Sequence, residues 1–227
     1  MKKANGLNIN GTVTNNGTAT VNNKAGNLAI GGTFNETGNA TFTNDGNAFN
    51  VTGTVTDKNG TLTMNNNGAG GFNAQSGSKI DAQGLNITNK GDAGLNLNGT
   101  VTNAGNANIQ NTATGTKGLN IGGSFSNNGT TTINNAGQDG LNISGTINDT
   151  GKTTLTNSGA KGLNISGNVT NQKDTLVANN SAGSLNINQT GKVNAQGLEF
   201  TNSGANGLNI NGTFTNKGNA TFTNSGN

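Results

Sequence analysis

The sequence predicts an all-β fold, a right-handed parallel β-solenoid (β-helix) of about ten coils, on three observations. A unit of about 22 residues recurs along nearly the whole chain. Each unit holds three short stretches of strand-like alternation. The composition is too polar for an ordinary packed domain, so the apolar residues have to be shared between neighbouring repeats.

The unit reads Gly-Leu-Asn-Ile-x-Gly-Thr-Val-Thr-Asn-x-Gly-x-Ala-Thr-Phe-Thr-Asn-x-Gly. Its first apolar residue falls at Leu7, Leu28, Phe49, Phe72, Leu95, Leu119, Leu141, Leu163, Leu185 and Leu208, at spacings of 21, 21, 23, 23, 24, 22, 22, 22 and 23. Residues 1–227 therefore read as one repeat domain without a linker. The three segments of the first unit are Leu7-Asn8-Ile9, Thr12-Val13-Thr14 and Ala19-Thr20-Val21. A period of two places apolar residues on one face and Asn or Thr on the other, and β-branched Thr, Val and Ile suit a pleated strand. Like residues in phase favour stacking each unit on the last over antiparallel hairpins. Ten coils stacked ~4.8 Å apart make a rod on the order of 48 Å long. The period exceeds the eighteen residues of a left-handed hexapeptide helix, which leaves the right-handed form with three strands per coil.

Glycine recurs after the first segment, at Gly11, Gly32, Gly53, Gly99, Gly123, Gly145, Gly167 and Gly212. It is expected there to supply the positive φ of a sharp corner. Two coils, those of Phe72 and Leu185, replace the Thr-rich second segment by Ser78-Lys79-Ile80-Asp81-Ala82-Gln83-Gly84 and Gly191-Lys192-Val193-Asn194-Ala195-Gln196-Gly197. They lie five coils apart and hint at a longer super-repeat.

Two asparagine columns follow from the repeat. Asn stands two residues after the third-segment core residue in every unit: Asn23, Asn44, Asn66, Asn89, Asn111, Asn135, Asn157, Asn179, Asn202 and Asn224. The core residues before them vary: Val21, Phe42, Met64, Ile87, Ile109, Ile133, Leu155, Val177, Phe200 and Phe222. A position two residues on points inward as well. A buried amide left unpaired costs about 1–3 kcal/mol, and stacked amides avoid that cost by bonding to one another. These ten residues are expected to form an internal structural ladder. A second column, Asn8, Asn50, Asn73, Asn96, Asn120, Asn142, Asn164, Asn186 and Asn209, with Ala29 in the second coil, is expected outside.

Composition bounds the function. Hydrophobic residues are 28%, charged residues 9%, and there is no Cys, His, Pro, Trp or Tyr. Without His or Cys the common catalytic triads are excluded, and no thiolate metal site can form. The acids Glu36, Asp45, Asp57, Asp81, Asp92, Asp139, Asp149, Asp174 and Glu199 are expected at differing positions, with no two forced into adjacent ladder sites. No catalytic, cofactor-binding or metal-binding residue is therefore assigned, no cofactor is expected, and the chain reads as a non-enzyme. The 12 Lys form no basic stripe with interleaved aromatics, so nucleic acid is not an expected partner. No run of about 20 apolar residues crosses a membrane, and Met1-Lys2-Lys3 is not followed by the apolar stretch of a signal peptide.

Thr-x-Thr triplets, such as Thr12-Val13-Thr14, Thr54-Val55-Thr56, Thr100-Val101-Thr102 and Thr213-Phe214-Thr215, would stack into hydroxyl–methyl arrays. These resemble the faces of ice-binding solenoids. The columns are interrupted at Asn35, Asn148 and Asn168 and by the two variant coils.

The Gly-Leu-Asn-Ile-x-Gly-Thr-Val-Thr-Asn and Asn-Ala-Thr-Phe-Thr-Asn-x-Gly strings resemble the passenger repeats of bacterial autotransporters. The likeness is to the vacuolating-cytotoxin-like group and, more loosely, to filamentous-haemagglutinin-type exoproteins. It covers nearly all of the chain. It implies a right-handed β-helix on the outer cell surface, used for adhesion, autoaggregation or display, with a surface glycan or protein as partner. No signal peptide or C-terminal barrel accompanies the repeats, so an excised segment is expected. The Ala4-Asn5-Gly6-Leu7 string recurs as Ala205-Asn206-Gly207-Leu208. That recurrence raises the alternative of a subunit stacking head to tail into a fibre, each end coil paired with a neighbouring chain.

Overall fold

The structure is a computed structural model and describes residues 6–113 and 115–226. The Met1-Lys2-Lys3 start and the Ala4-Asn5 end of the recurring string lie outside them. The described residues form 26 strands and no helix. Ten strands make one sheet, the first segments of the ten coils, and sixteen make another, which carries the second and third segments. All pairings are parallel and run coil to coil: Leu7 lies beside Leu28, Leu28 beside Phe49, and so on to Leu185 beside Leu208. The chain is thus a parallel β-solenoid of about ten turns.

The alternation in the sequence sets what is buried. First segments follow a buried–intermediate–buried pattern, as in Leu95–Leu97, and third segments extend it to five residues, as in Thr131–Asn135. Second segments bury their second and fourth residues, as in Thr100–Asn103. One continuous strip of Leu, Ile, Val, Ala and Phe results, with Leu28, Phe49, Phe72, Leu95 and Leu119 fully excluded from water. Phenylalanines gather in two places. Phe34 meets Phe42 edge-on at 4.8 Å and Phe49 lies 5.0 Å from Phe72, while Phe200, Phe214 and Phe222 form a second group.

The corner glycines act differently from the expectation above. Gly32, Gly53, Gly123, Gly145 and Gly167 do not adopt a positive φ. They are required by close approach: a Cβ on Gly145 would stand 2.0 Å from the carbonyl oxygen of Gly123, in the coil before. Positive φ belongs instead to the turn entering the first segment, as at Gly94, Gly140 and Gly162.

Corner length between the second and third segments varies in a regular way. Asn103 and Ala107 are separated by three residues, as in most coils. The coil of Phe49 has four there (Lys58–Thr61), and the variant coil that follows has two (Gln83-Gly84). The same long–short sequence recurs with Gln172–Thr175 and Gln196-Gly197. The register shifts at both places to absorb the difference.

Candidate functional site

The interior asparagines form a hydrogen-bonded ladder along the coils. Each Nδ2 donates to the Oδ1 of the equivalent residue in the next coil: Asn23 to Asn44 at 2.6 Å, Asn44 to Asn66 at 2.7 Å, Asn66 to Asn89 at 2.9 Å, and Asn89 to Asn111 and Asn111 to Asn135 at 2.8 Å. Asn135 donates to Asn157 at 2.9 Å. A second Nδ2 bond reaches the turn carbonyl of the same coil, as from Asn135 to Gly137 at 2.9 Å, and Gly137 N–H returns a bond to Asn135 Oδ1. Asn89, Asn135 and Asn157 thus use both the donor and the acceptor of the buried amide twice.

One assignment needs correction. Asn157 donates to Asn180, not Asn179, and Asn180 donates to Asn202, which donates in turn to Asn224. The long corner at Gln172–Thr175 delays the third segment by one residue. Leu176 and Ala178 take the core positions beside Thr153 and Leu155, Val177 takes an outward position, and Asn179 sits on the outer side.

The second column lies outside, half-buried, and bonds in the opposite direction. Asn96 donates back to Asn73 at 2.9 Å, Asn186 back to Asn164 at 2.7 Å, and Asn209 back to Asn186 at 2.9 Å. Inner amides thus point along the chain direction and outer amides against it. The outer run is broken where Asn120 turns to Asn98 and Asn142 to the Asp139 carbonyl. Replacing Asn142 by leucine is expected to cost less than about 1 kcal/mol in urea melts, because water replaces the bonds it loses.

A second interior column was not anticipated. The last residue of each second segment is Asn15, Glu36, Asp57, Ala82, Asn103, Asn127, Asp149, Asn171, Ala195 and Asn216, paired in register. Three of the nine acids share it, and Glu36 and Asp57 occupy adjacent coils, contrary to the expectation of scattered acids. Counting acids alone hid the pattern, since amide and carboxylate alternate at one position. Asn15 donates to Glu36 Oε2 at 2.7 Å, and the N–H groups of Thr37 and Gly38 donate to Glu36 Oε1. Burial raises the Glu36 pKa, but these three bonds together outweigh it and hold the group below its ordinary value. Asp57 accepts from Gly60 N–H through Oδ1, while its buried Oδ2 makes no well-formed hydrogen bond, although the N–H groups of Ala40 and Asn59 lie close enough to oppose the effect of burial in part. Burial pushes the Asp57 pKa up, and the Glu36 charge adds to the rise. Asp149 is also raised by burial, although it accepts hydroxyl bonds from Thr131 and Thr153. Glu36, Asp57 and Asp149 are all at most 1% exposed. All three are sealed inside the coil and bonded to N–H groups of their own corners.

Outside, charges bridge coils. Asp139 accepts from Lys161 and Lys117, which lower its pKa, and Lys24 pairs with Asp45. Such exposed pairs contribute little to stability. The Thr-x-Thr positions face outward in register, yet no two adjacent coils both carry the full Thr pair: Thr12 and Thr14 lie beside Thr33 and Asn35, and Thr100 and Thr102 beside Ser124 and Ser126. An ice-matching lattice of stacked Thr pairs is therefore not laid out. Among the described residues no helix is long and apolar enough to cross a membrane.

No protein-family profile, curated protein or solved structure matches the chain.

Proposed function

We propose that the chain is a non-enzymatic stalk segment of an exported bacterial surface protein, working by adhesion, autoaggregation or display. The observation that carries this reading is the interior ladder running through all ten coils. It fixes the coils without help from the outer side chains. A rod held from within can vary its surface freely, as a display scaffold must. The likeness of the Gly-Leu-Asn-Ile-x-Gly-Thr-Val-Thr-Asn string to autotransporter passenger repeats favours an extracellular place on the outer cell surface. Fusing the chain to an outer-membrane anchor tests the reading. Cells displaying it are expected to settle or attach faster than cells displaying the anchor alone, and equal rates would overturn the adhesive role.

A second reading, a fibre subunit, is favoured by the direction of the ladders. Asn224 accepts at Oδ1 from the coil before it and donates only a long bond to the Gly226 carbonyl of its own turn, and Asn23 donates onward to Asn44, so in this reading a stacked copy continues the same donor-to-acceptor order. The end coils also expose core residues: Leu7 is 37% and Val13 38% exposed at one end, Ile210 41% and Phe222 43% at the other. Both surfaces fit another coil of this pattern. Light scattering across a dilution series is expected to show rods that lengthen with concentration. A constant monomer mass would remove this reading.

A further inference from the structure

We propose that the two short corners form a pair of equivalent binding notches for a neutral carbohydrate chain. Each short corner, Gln83-Gly84 or Gln196-Gly197, is recessed between a long corner and an ordinary one. The recesses measure about 410 Å³ and about 390 Å³, within the range of small-ligand sites. They are built alike to the level of single contacts. A Cβ on Gly84 would stand 3.0 Å from Thr61 Oγ1, and one on Gly197 the same 3.0 Å from Thr175 Oγ1. Leu85 N–H bonds the Asn106 carbonyl and Leu198 N–H the Asn219 carbonyl, so Asn106 and Asn219 hold matching places on the rim.

The shared lining decides the ligand class. Both notches offer a glutamine amide, a threonine hydroxyl and an asparagine amide over a glycine floor. The Gln83 and Gln196 side chains are exposed at the two corners. Amides and hydroxyls both donate and accept, which matches sugar hydroxyls. The first notch is lined by no charged residue, and the second adds Lys173, Asp174 and Glu199, charges of both signs that give an ion no uniform counter-charge. Its flanking strands are paired on both sides, which leaves no edge for a peptide strand to join. The notches lie five coils apart, roughly 24 Å at ~4.8 Å per coil. One polymer touching both gains by effective concentration. This inference gives the adhesive reading a ligand class and rests on that reading for its setting.

Native gels cast with mannan, dextran, xylan or a β-glucan test it. The chain is expected to be retarded by at least one of the four. Gln83→Ala or Gln196→Ala alone should weaken retardation about 10-fold or more, and the double variant should run as in a plain gel. Both glutamines are exposed at corners, so far-UV circular dichroism should stay unchanged. Thr146→Ala, on the same sheet away from both notches, should behave as the unaltered chain. Free migration in all four gels, or a double variant retarded as strongly as the unaltered chain, overturns the site. Attachment of cells displaying the chain is scored separately. Attachment without retardation sinks the notches and leaves the adhesive reading standing, whereas retardation without attachment sinks the adhesive reading alone.

Discussion

Replacing Asn135 by leucine is expected to cost about 3–5 kcal/mol, the largest loss of any single interior amide change proposed for this chain. Asn135 makes four bonds: it accepts from Asn111 Nδ2 at 2.8 Å and from Gly137 N–H at 3.1 Å, and it donates to Asn157 and Gly137 at 2.9 Å each. Leucine removes them all and strands Asn111 Nδ2 and the Gly137 N–H, while the Gly137 carbonyl keeps its bond from Gly140 N–H at 3.0 Å. Each stranded group costs about 1–3 kcal/mol. A solenoid transmits such damage chiefly to nearest neighbours. Hydrogen exchange should therefore quicken most in the coils of Leu95, Leu119 and Leu141. Urea melts of Asn135→Leu beside Asn142→Leu provide the comparison. Equal losses at the two positions would contradict the assignment of one column to the interior and the other to the surface.

The fold was legible because the repeat keeps its apolar residues in phase. Every first segment begins on Leu or Phe, and these residues pair directly from coil to coil. The inner ladder was legible in every coil but that of Leu163. There the rule of counting two residues from the apolar Val177 fails, because Val177 follows a corner one residue too long. A better signal was present. Asn157-Ser158, Asn180-Ser181, Asn202-Ser203 and Asn224-Ser225 share an Asn-Ser pair that marks the ladder from its downstream side. The second interior column was hidden by chemistry rather than by register. Asn, Asp and Glu differ in charge but occupy one position, and only stacking brings Glu36 beside Asp57. The notches were hidden for a further reason: they arise from the difference in length between neighbouring corners, which no single repeat reveals.

Converting Asp57 to asparagine is expected to stabilise the chain by about 1–3 kcal/mol near neutral pH, the cost of keeping a buried, poorly bonded oxygen beside a like charge. Asparagine is the ordinary occupant of this column. At the other long corner it is Asn171, whose Oδ1 accepts from the N–H three residues on, as Asp57 Oδ1 does from Gly60, and whose Nδ2 donates to the Gly151 carbonyl of the preceding coil at 2.6 Å. A carboxylate cannot make that bond. The pH dependence follows from the directions of the shifts. Asp57 is raised, first by burial and then by Glu36, so the folded chain holds its proton more tightly than the unfolded chain. Its contribution to stability is full below the unfolded value and is lost as pH rises through the folded value. The gain in Asp57→Asn should thus be largest at about pH 7.5 and vanish by about pH 3, where Asp57 is itself neutral. Glu36 runs the other way. Its lowered pKa contributes stability above the ordinary carboxylate value and loses it on acidification. Glu36→Gln should therefore weaken the chain at about pH 7.5, because the amide cannot accept from Asn15 and from both corner N–H groups at once. Two neighbouring acids with opposite responses to neutralisation are the signature expected in urea melts. A gain in Asp57→Asn that grew as pH fell, or a Glu36→Gln variant more stable than the unaltered chain at about pH 7.5, would mean that the column does not hold the two carboxylates as described.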